Sequence, residues 1–148
     1  MSREITRFDG EYRFLSNFWL CEVSLGGLIY PSSEHAFQAQ KSLHLYERAR
    51  VMDAPTPGDA KRMGRSLTLR PGWDVFRKQA MLTVLVAKFT QNPDLGERLV
   101  STEDVPLEEG NHWHDNYWGA CSCSRCAGGG LNYLGRLLMA VRDVVRVD

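Results

Sequence analysis

The stretch LCEVSLGGLIYPSSEHAFQAQK, residues 20–41, decides the reading of the chain, because strand and helix signals meet inside it. LCEVSL and LIY are short β-prone runs on either side of Gly26-Gly27, a dipeptide that suits a tight hairpin turn. Pro31, Ser32 and Ser33 then stop the strand and offer a helix cap. The residues that follow, EHAFQAQKSLHLYERARVM (34–52), are mostly good helix formers and read as one helical segment.

Outward from this junction the chain is helical. Thr56 and Pro57 form a cap and first turn for a short helix through Met63, ended by Gly64. Between Trp73 and Thr90, Val75, Phe76, Ala80, Leu82, Val86 and Phe89 recur at spacings near three and four, which predicts the central buried helix, with Phe76 and Phe89 in the core. Asn92 and Pro93 open a further short helix ending near Val100, and NYLGRLLMAVRDVV (132–145) places Leu134, Leu137, Leu138, Val141 and Val145 on one side of a last helix. Only Glu103 to Gly130 is irregular, and an ordered connection of that length is usually functional. The expected fold is α+β, mainly α-helical, a single domain over 1–148 with a small N-terminal β-hairpin.

With 148 residues, the chain can bury roughly two thirds of its unfolded surface without a staple. Its 18 basic and 18 acidic side chains cancel, which argues against a sequence-independent nucleic-acid scaffold and leaves room for a local basic pocket. Charged residues Lys88, Arg136, Arg142 and Asp143 break the apolar stretches well short of the ~20 residues that span a bilayer. MSREITRFDGEYRF has no apolar core, so no leader and no membrane association are expected, and the location reads as cytoplasmic.

Three groups of residues could carry chemistry. Glu34, Gln38 and Lys41 are separated by four and three positions, so they share a helix face, with Ala36, Ala39 and Leu43 pointing away. Glu34 falls in the first turn, where unpaired N–H groups favour a carboxylate suited to electrostatic stabilisation, base or nucleophile roles. The same triplet also fits a solvated charged face, and pattern alone leaves both readings standing. Second, Trp113, Tyr117 and Trp118 alternate with His112, His114, Asp115 and Asn116, a mix that suits stacking on a flat ring, or equally a loop anchored by tryptophans and closed by an Asx turn at Asp115. Third, Cys121, Cys123 and Cys126 with His114 or His112 have the count and ligand types for zinc, against the alternative of three reduced thiols. A glycine run at 128–130 is a weak phosphate-loop signal and reads as a turn.

Taken together, FLSNFW (14–19), YPSSEHAFQAQK (30–41), AKRMGR (60–65), the spaced Trp73 with AKFTQNPDL (87–95), DNYWG (115–119) and NYLGRLLMAVR (132–142) resemble, in order, the NADAR or YbiA-like family. The resemblance covers nearly the whole chain. It implies an enzyme, an N-glycosidase that hydrolyses the bond between ribose and a base or amine. The implied substrates are ADP-ribose attached to guanine, in a nucleotide or in DNA or RNA, or phosphorylated ribosylamino-pyrimidine intermediates of riboflavin synthesis.

By the same resemblance, Glu34, Lys41 and Asp115 match catalytic positions. Asn17, Phe18, Gln38, Arg65, Trp73, Trp118 and Asn132 are expected to contact substrate. No cofactor and no metal are implied for the shared chemistry. One departure stands out: where family members often have Asp directly after the W-G pair, this chain has Ala120. That substitution also motivates one alternative, a non-catalytic ADP-ribose or nucleotide binder, and the three clustered cysteines motivate another, a zinc-organised interaction module.

Overall fold

The computed structural model describes residues 4–147; the first three residues of the N-terminal stretch read above lie outside them. The chain divides into two compact units, one of residues 17–93 and one of the N-terminal residues through Ser16 together with those from Asp94 onward. The architecture is α+β and mainly helical.

In the first unit the expected hairpin is present. Strand β1 (Leu20–Leu25) pairs antiparallel with β2 (Leu28–Ser32), and both turn glycines take the left-handed backbone that a tight turn requires (φ 60° and 86°). Ser32 closes the strand and at once caps helix α1 (Ser33–Ala39): its Oγ accepts from the His35 N–H at 3.1 Å. The register is Leu20 opposite Ser32 and Val23 opposite Tyr30, with an irregularity between them.

The single helical segment expected over 34–52 is instead two helices, α1 and α2 (Leu45–Met52). Tertiary bonds interrupt it. The Lys41 carbonyl accepts from the Arg70 N–H at 2.7 Å, the Ser42 carbonyl accepts from Arg48 Nε at 2.7 Å, and the Ser42 hydroxyl accepts from the His44 N–H while donating to Glu47. These partners replace the i to i−4 bonds that propensity alone would favour. Leu43, between the helices, is exposed.

Helix α3 (Pro57–Met63) starts at Thr56, whose side chain accepts from the Asp59 N–H, and ends at Gly64, as expected. Helix α4 (Trp73–Gln91) is the long one, but its buried set is Trp73, Ala80, Met81, Val84, Leu85, Ala87, Lys88 and Phe89. Of the positions read as its core, Val75 is exposed and Phe76, Leu82 and Val86 are half-buried, a rotation of the buried face toward Met81, Val84 and Leu85. The central element is α1, which contacts β1, β2, α2, α3 and α4 and whose seven residues are all buried.

In the second unit, a short 3-10 segment (Gly10–Leu15) escaped the sequence reading. Helix α5 (Pro93–Val100) and helix α6 (Tyr133–Val147) frame the irregular region, with Leu134, Leu138 and Val141 buried and Leu137 and Val145 half-buried. That region is ordered by a two-residue parallel pair, β3 (Gly110–Asn111) with β4 (Ala120–Cys121), and by a bridge between Ile5 and Leu107. Arg142 on α6 is buried and donates to Thr102 Oγ1 and the Val105 carbonyl at 2.9 and 2.8 Å. Among the described residues no helix is long and apolar enough to cross a membrane.

Candidate functional site

A helix buried on every side and yet carrying Ser33, Glu34, His35 and Gln38 must find partners for each polar group, because an unpaired buried donor or acceptor costs about 1–3 kcal/mol. Ser33 Oγ donates to Asn17 Oδ1 at 2.9 Å, and the Glu34 N–H donates to the Asn17 carbonyl at 3.0 Å. His35 bridges Ser32 Oγ at 2.7 Å and the Ala54 carbonyl at 3.0 Å, fixing both ring nitrogens. Burial holds the His35 imidazole below its ordinary range, opposed by the Ala54 hydrogen bond and the Asp59 carboxylate.

Gln38 Nε2 donates to Glu34 Oε2 at 2.6 Å, the i, i+4 pair foreseen from spacing. The solvated-face alternative is excluded, since Glu34 and Gln38 are only 8% and 5% exposed. Gln38 Oε1 is buried with no hydrogen-bond partner. Gly64, at the end of α3, passes so close that a Cβ there would lie 1.9 Å from this oxygen and 3.3 Å from Lys41 Nζ. A side chain fits here only if the Gln38 amide gives way; the glycine's own backbone (φ −56°, ψ −25°) is ordinary helix.

Lys41 stands in the turn after α1. Burial lowers its amine below the usual lysine range, the Glu34 carboxylate opposes this, and Arg65 and Lys61 add to the lowering. Lys61 was missed in the sequence reading. The signal was there, because Lys61 and Arg65 are four apart and flank the last turn of α3. Glu34, Gln38, Lys41 and Arg65 are thus gathered into one electrostatic neighbourhood, with Lys61 added.

The other expected contacts of this unit divide. Phe18 is exposed at 42%, with its ring edge about 4.0 Å from where a Cβ on Gly58 would stand. Asn17 is buried, and its amide donates to Met81 Sδ at 3.4 Å, so it serves to seat the start of α1. Trp73 is also buried, packed on Phe37 at 5.4 Å between ring centroids, which commits most of its ring to the core.

In the second unit, Asp115 Oδ1 accepts from the N–H groups of Tyr117 and Trp118 at 3.2 and 3.0 Å, the Asx turn that was one of its two readings. Trp118 meets Tyr117 edge-on at 4.7 Å, and Tyr117 also packs on Tyr133. The Asn132 side chain ties α6 to the preceding loop: its Oδ1 accepts from the Glu109 N–H at 3.0 Å and its Nδ2 donates to the Leu107 carbonyl at 2.9 Å. Ala120, in the place where Asp was noted as frequent, is buried in β4.

Of the two histidines considered with the cysteines, only His114 joins them. His112 is turned to Ser122 Oγ through Nδ1 and to the Arg7 guanidinium through Nε2. A cavity of about 510 Å³ in this unit, bounded by Tyr12, Phe14, Arg98 and Thr102 among others, is lined by none of the expected site residues.

Residues 6–146 match the NADAR domain model. The chain is 36% identical over 140 residues to the N-glycosidase YbiA of Escherichia coli, covering 93% of this chain and 84% of that protein. The NMR structure of E. coli YbiA superposes with a TM-score of 0.84, covering 99% of this chain and 88% of that one. A riboflavin biosynthesis protein of Vibrio vulnificus is 36% identical over 137 residues; these are 91% of this chain, which spans only 36% of that longer protein.

Proposed function

The chain belongs to the NADAR domain family, and from that premise we propose that it is a hydrolase of N-glycosidic bonds between ribose and a base or amine. The family model runs across both compact units, which supports treating them as parts of one domain. Relatives named as N-glycosidases from E. coli and Nostoc punctiforme support the reaction class, the latter at 34% identity over 140 residues.

The observation that carries the reading is the buried Glu34 carboxylate, oriented by Gln38 at 2.6 Å and faced by a half-buried lysine. Cleavage of a ribosyl C–N bond places positive charge on C1′. Water adds to that carbon, one of its protons is lost to a base, and the leaving nitrogen gains a proton. Glu34 is suited to stabilise the developing charge and to take the proton from water. Gln38 holds it in one orientation, so little reorganisation is needed as charge develops. Lys41, Arg65 and Lys61 offer cations to a phosphate of the substrate, and exposed Phe18 offers a ring face to a base.

The depressed amine of Lys41 favours a second route, in which neutral Lys41 attacks C1′ of the ribosyl group, the base or amine departs with a proton, the ribose ring opens to leave a Schiff base between C1′ and Lys41, and water hydrolyses it to free the ribose and the lysine. Borohydride trapping that disappears in Lys41→Ala identifies this route; turnover without a trapped adduct assigns Lys41 to phosphate.

For the substrate we propose both ADP-ribose on guanine, in a nucleotide or in DNA or RNA, and phosphorylated ribosylamino-pyrimidines as candidates; a side-by-side assay of both decides between them. Glu34→Gln keeps the shape and removes the charge, and is expected to lower kcat by about 10²–10⁴-fold. Near-wild-type turnover on a confirmed substrate would sink the assignment. Asp115→Asn retains an oxygen for the turn. A loss of turnover at unchanged stability supports its acid/base or ribose-binding role, and unchanged turnover leaves it the Asx-turn role alone. Tight binding of ADP-ribose without product would favour the non-catalytic alternative raised by Ala120.

A further inference from the structure

Nothing in the glycosidase reading uses the cluster His114, Cys121, Cys123 and Cys126. We propose that these four side chains form a closed structural zinc site that orders residues 111–130. The sulfurs of Cys123, Cys126 and Cys121 stand 3.4, 3.4 and 3.8 Å from one and the same atom, His114 Nδ1. A ring nitrogen has one proton or one lone pair, so it can satisfy one sulfur and not three. Hydrogen bonding therefore does not account for the arrangement.

A shared metal does. With zinc about 2.3 Å from sulfur and about 2.0–2.1 Å from nitrogen at tetrahedral angles, neighbouring ligand atoms fall about 3.6 Å (N to S) and about 3.8 Å (S to S) apart. The observed N to S distances bracket the first value, and all four ligand atoms lie within 4.8 Å of one another. Three sulfurs and one imidazole are the donor set of a soft, tetrahedral divalent ion, and four protein ligands leave no open position for catalysis.

The surroundings fit the same purpose. Cys121 is fixed in β4, opposite Asn111. Cys123 begins a tight turn in which the N–H groups of Cys126 and Ala127 reach the Cys123 carbonyl at 3.2 and 2.8 Å, and the Gly128 N–H returns to the Cys121 carbonyl at 2.8 Å. Asn116 accepts from the Cys121 N–H at 2.8 Å through Oδ1, the kind of outer partner that orients a ligand. Binding converts the three thiols to thiolates, so each zinc taken up releases up to three protons to solvent.

The test is metal analysis of the full chain, purified under reducing conditions without added metal or chelator, then stripped and reloaded with zinc. About one zinc per chain is expected. Cobalt(II) in its place should show thiolate charge transfer with tetrahedral ligand-field bands. Cys123→Ser and Cys126→Ser should each weaken zinc binding by more than the about 10–100-fold that loss of an outer partner costs, whereas Cys21→Ser, in the other unit, should bind as the parent does. A folded parent chain that takes up no stoichiometric zinc on reloading overturns the proposal. So does a cobalt spectrum without thiolate charge transfer, or equal loss of metal in Cys21→Ser. The cobalt spectrum of the unaltered chain keeps the question decidable if a variant fails to fold.

Discussion

Replacing Gly64 by alanine is expected to destabilise the protein, against what helix propensity says. The Gly64 backbone is helical (φ −56°, ψ −25°), so a methyl group there should by itself stabilise, by about 0.4–1 kcal/mol, through the unfolded chain. The new Cβ, however, would lie 1.9 Å from Gln38 Oε1 and 2.8 Å from its Cδ. Both contacts are far inside van der Waals distance, so the carboxamide must retreat by roughly an ångström, which strains its present 2.6 Å bond to Glu34. A hydrogen bond to a charged group contributes about 1.5–3 kcal/mol, and overpacking a tight site costs about 1–3 kcal/mol. The two overlap, and after the propensity gain about 0.5–2.5 kcal/mol remains, or roughly 1–10 °C in Tm for a chain of this size. Equilibrium urea unfolding of Gly64→Ala, Gln38→Ala and the double variant measures it. The second substitution removes the obstructing amide, so the double variant should be more stable than the sum of the singles predicts. A neutral or stabilising Gly64→Ala, or strict additivity, refutes the reasoning.

Two further outcomes follow from buried polar groups. His35 has its pKa held below the usual range, so the folded state keeps it neutral while the unfolded chain takes up a proton near pH ~6.5. Its contribution is present above that pH and is lost as pH falls toward the folded value, at up to about 1.4 kcal/mol per pH unit; urea titrations at descending pH should show this slope, flattened in His35→Gln, and stability that rises on acidification would contradict it. Arg142→Ala strands the Val105 carbonyl and removes a bond to Thr102 in a buried place, and should cost about 2–4 kcal/mol; Arg146→Ala, whose Asp104 partner is exposed, should cost less than ~1 kcal/mol, and calorimetry giving the two equal effects would be decisive against this account.

Local chemistry made several features readable in the sequence. The hairpin, the Ser32 and Thr56 caps and the i, i+4 pairing of Glu34 with Gln38 depend on near neighbours, and each is present. What spacing could not give depended on distant partners. The break after Ala39 arises from Arg70 and Arg48 binding carbonyls at Lys41 and Ser42. Burial of Glu34 arises from packing α1 among five other elements, which turned a plausible solvated face into the interior. Choosing His114 over His112 required the loop's backbone, since both lie within one stretch of sequence and only the folded turn points one ring at the sulfurs.

Ser32 is both the last paired residue of the hairpin and the cap of α1, with Glu34 two residues on. Reading frame along this ribbon is therefore transmitted straight into the helix, like the teeth of a rack driving a pinion. Deleting one residue between Val23 and Ser32 would bring a different side chain to the cap and turn Glu34 by about 100° around the helix axis. Lengthening the loop at Gly26-Gly27 leaves the frame intact, and doubling a loop's length costs only about 0.6 kcal/mol in closure entropy. The hairpin tip is accordingly the place to carry a peptide tag or a fluorophore, while the few residues before Glu34 tolerate no change in their number.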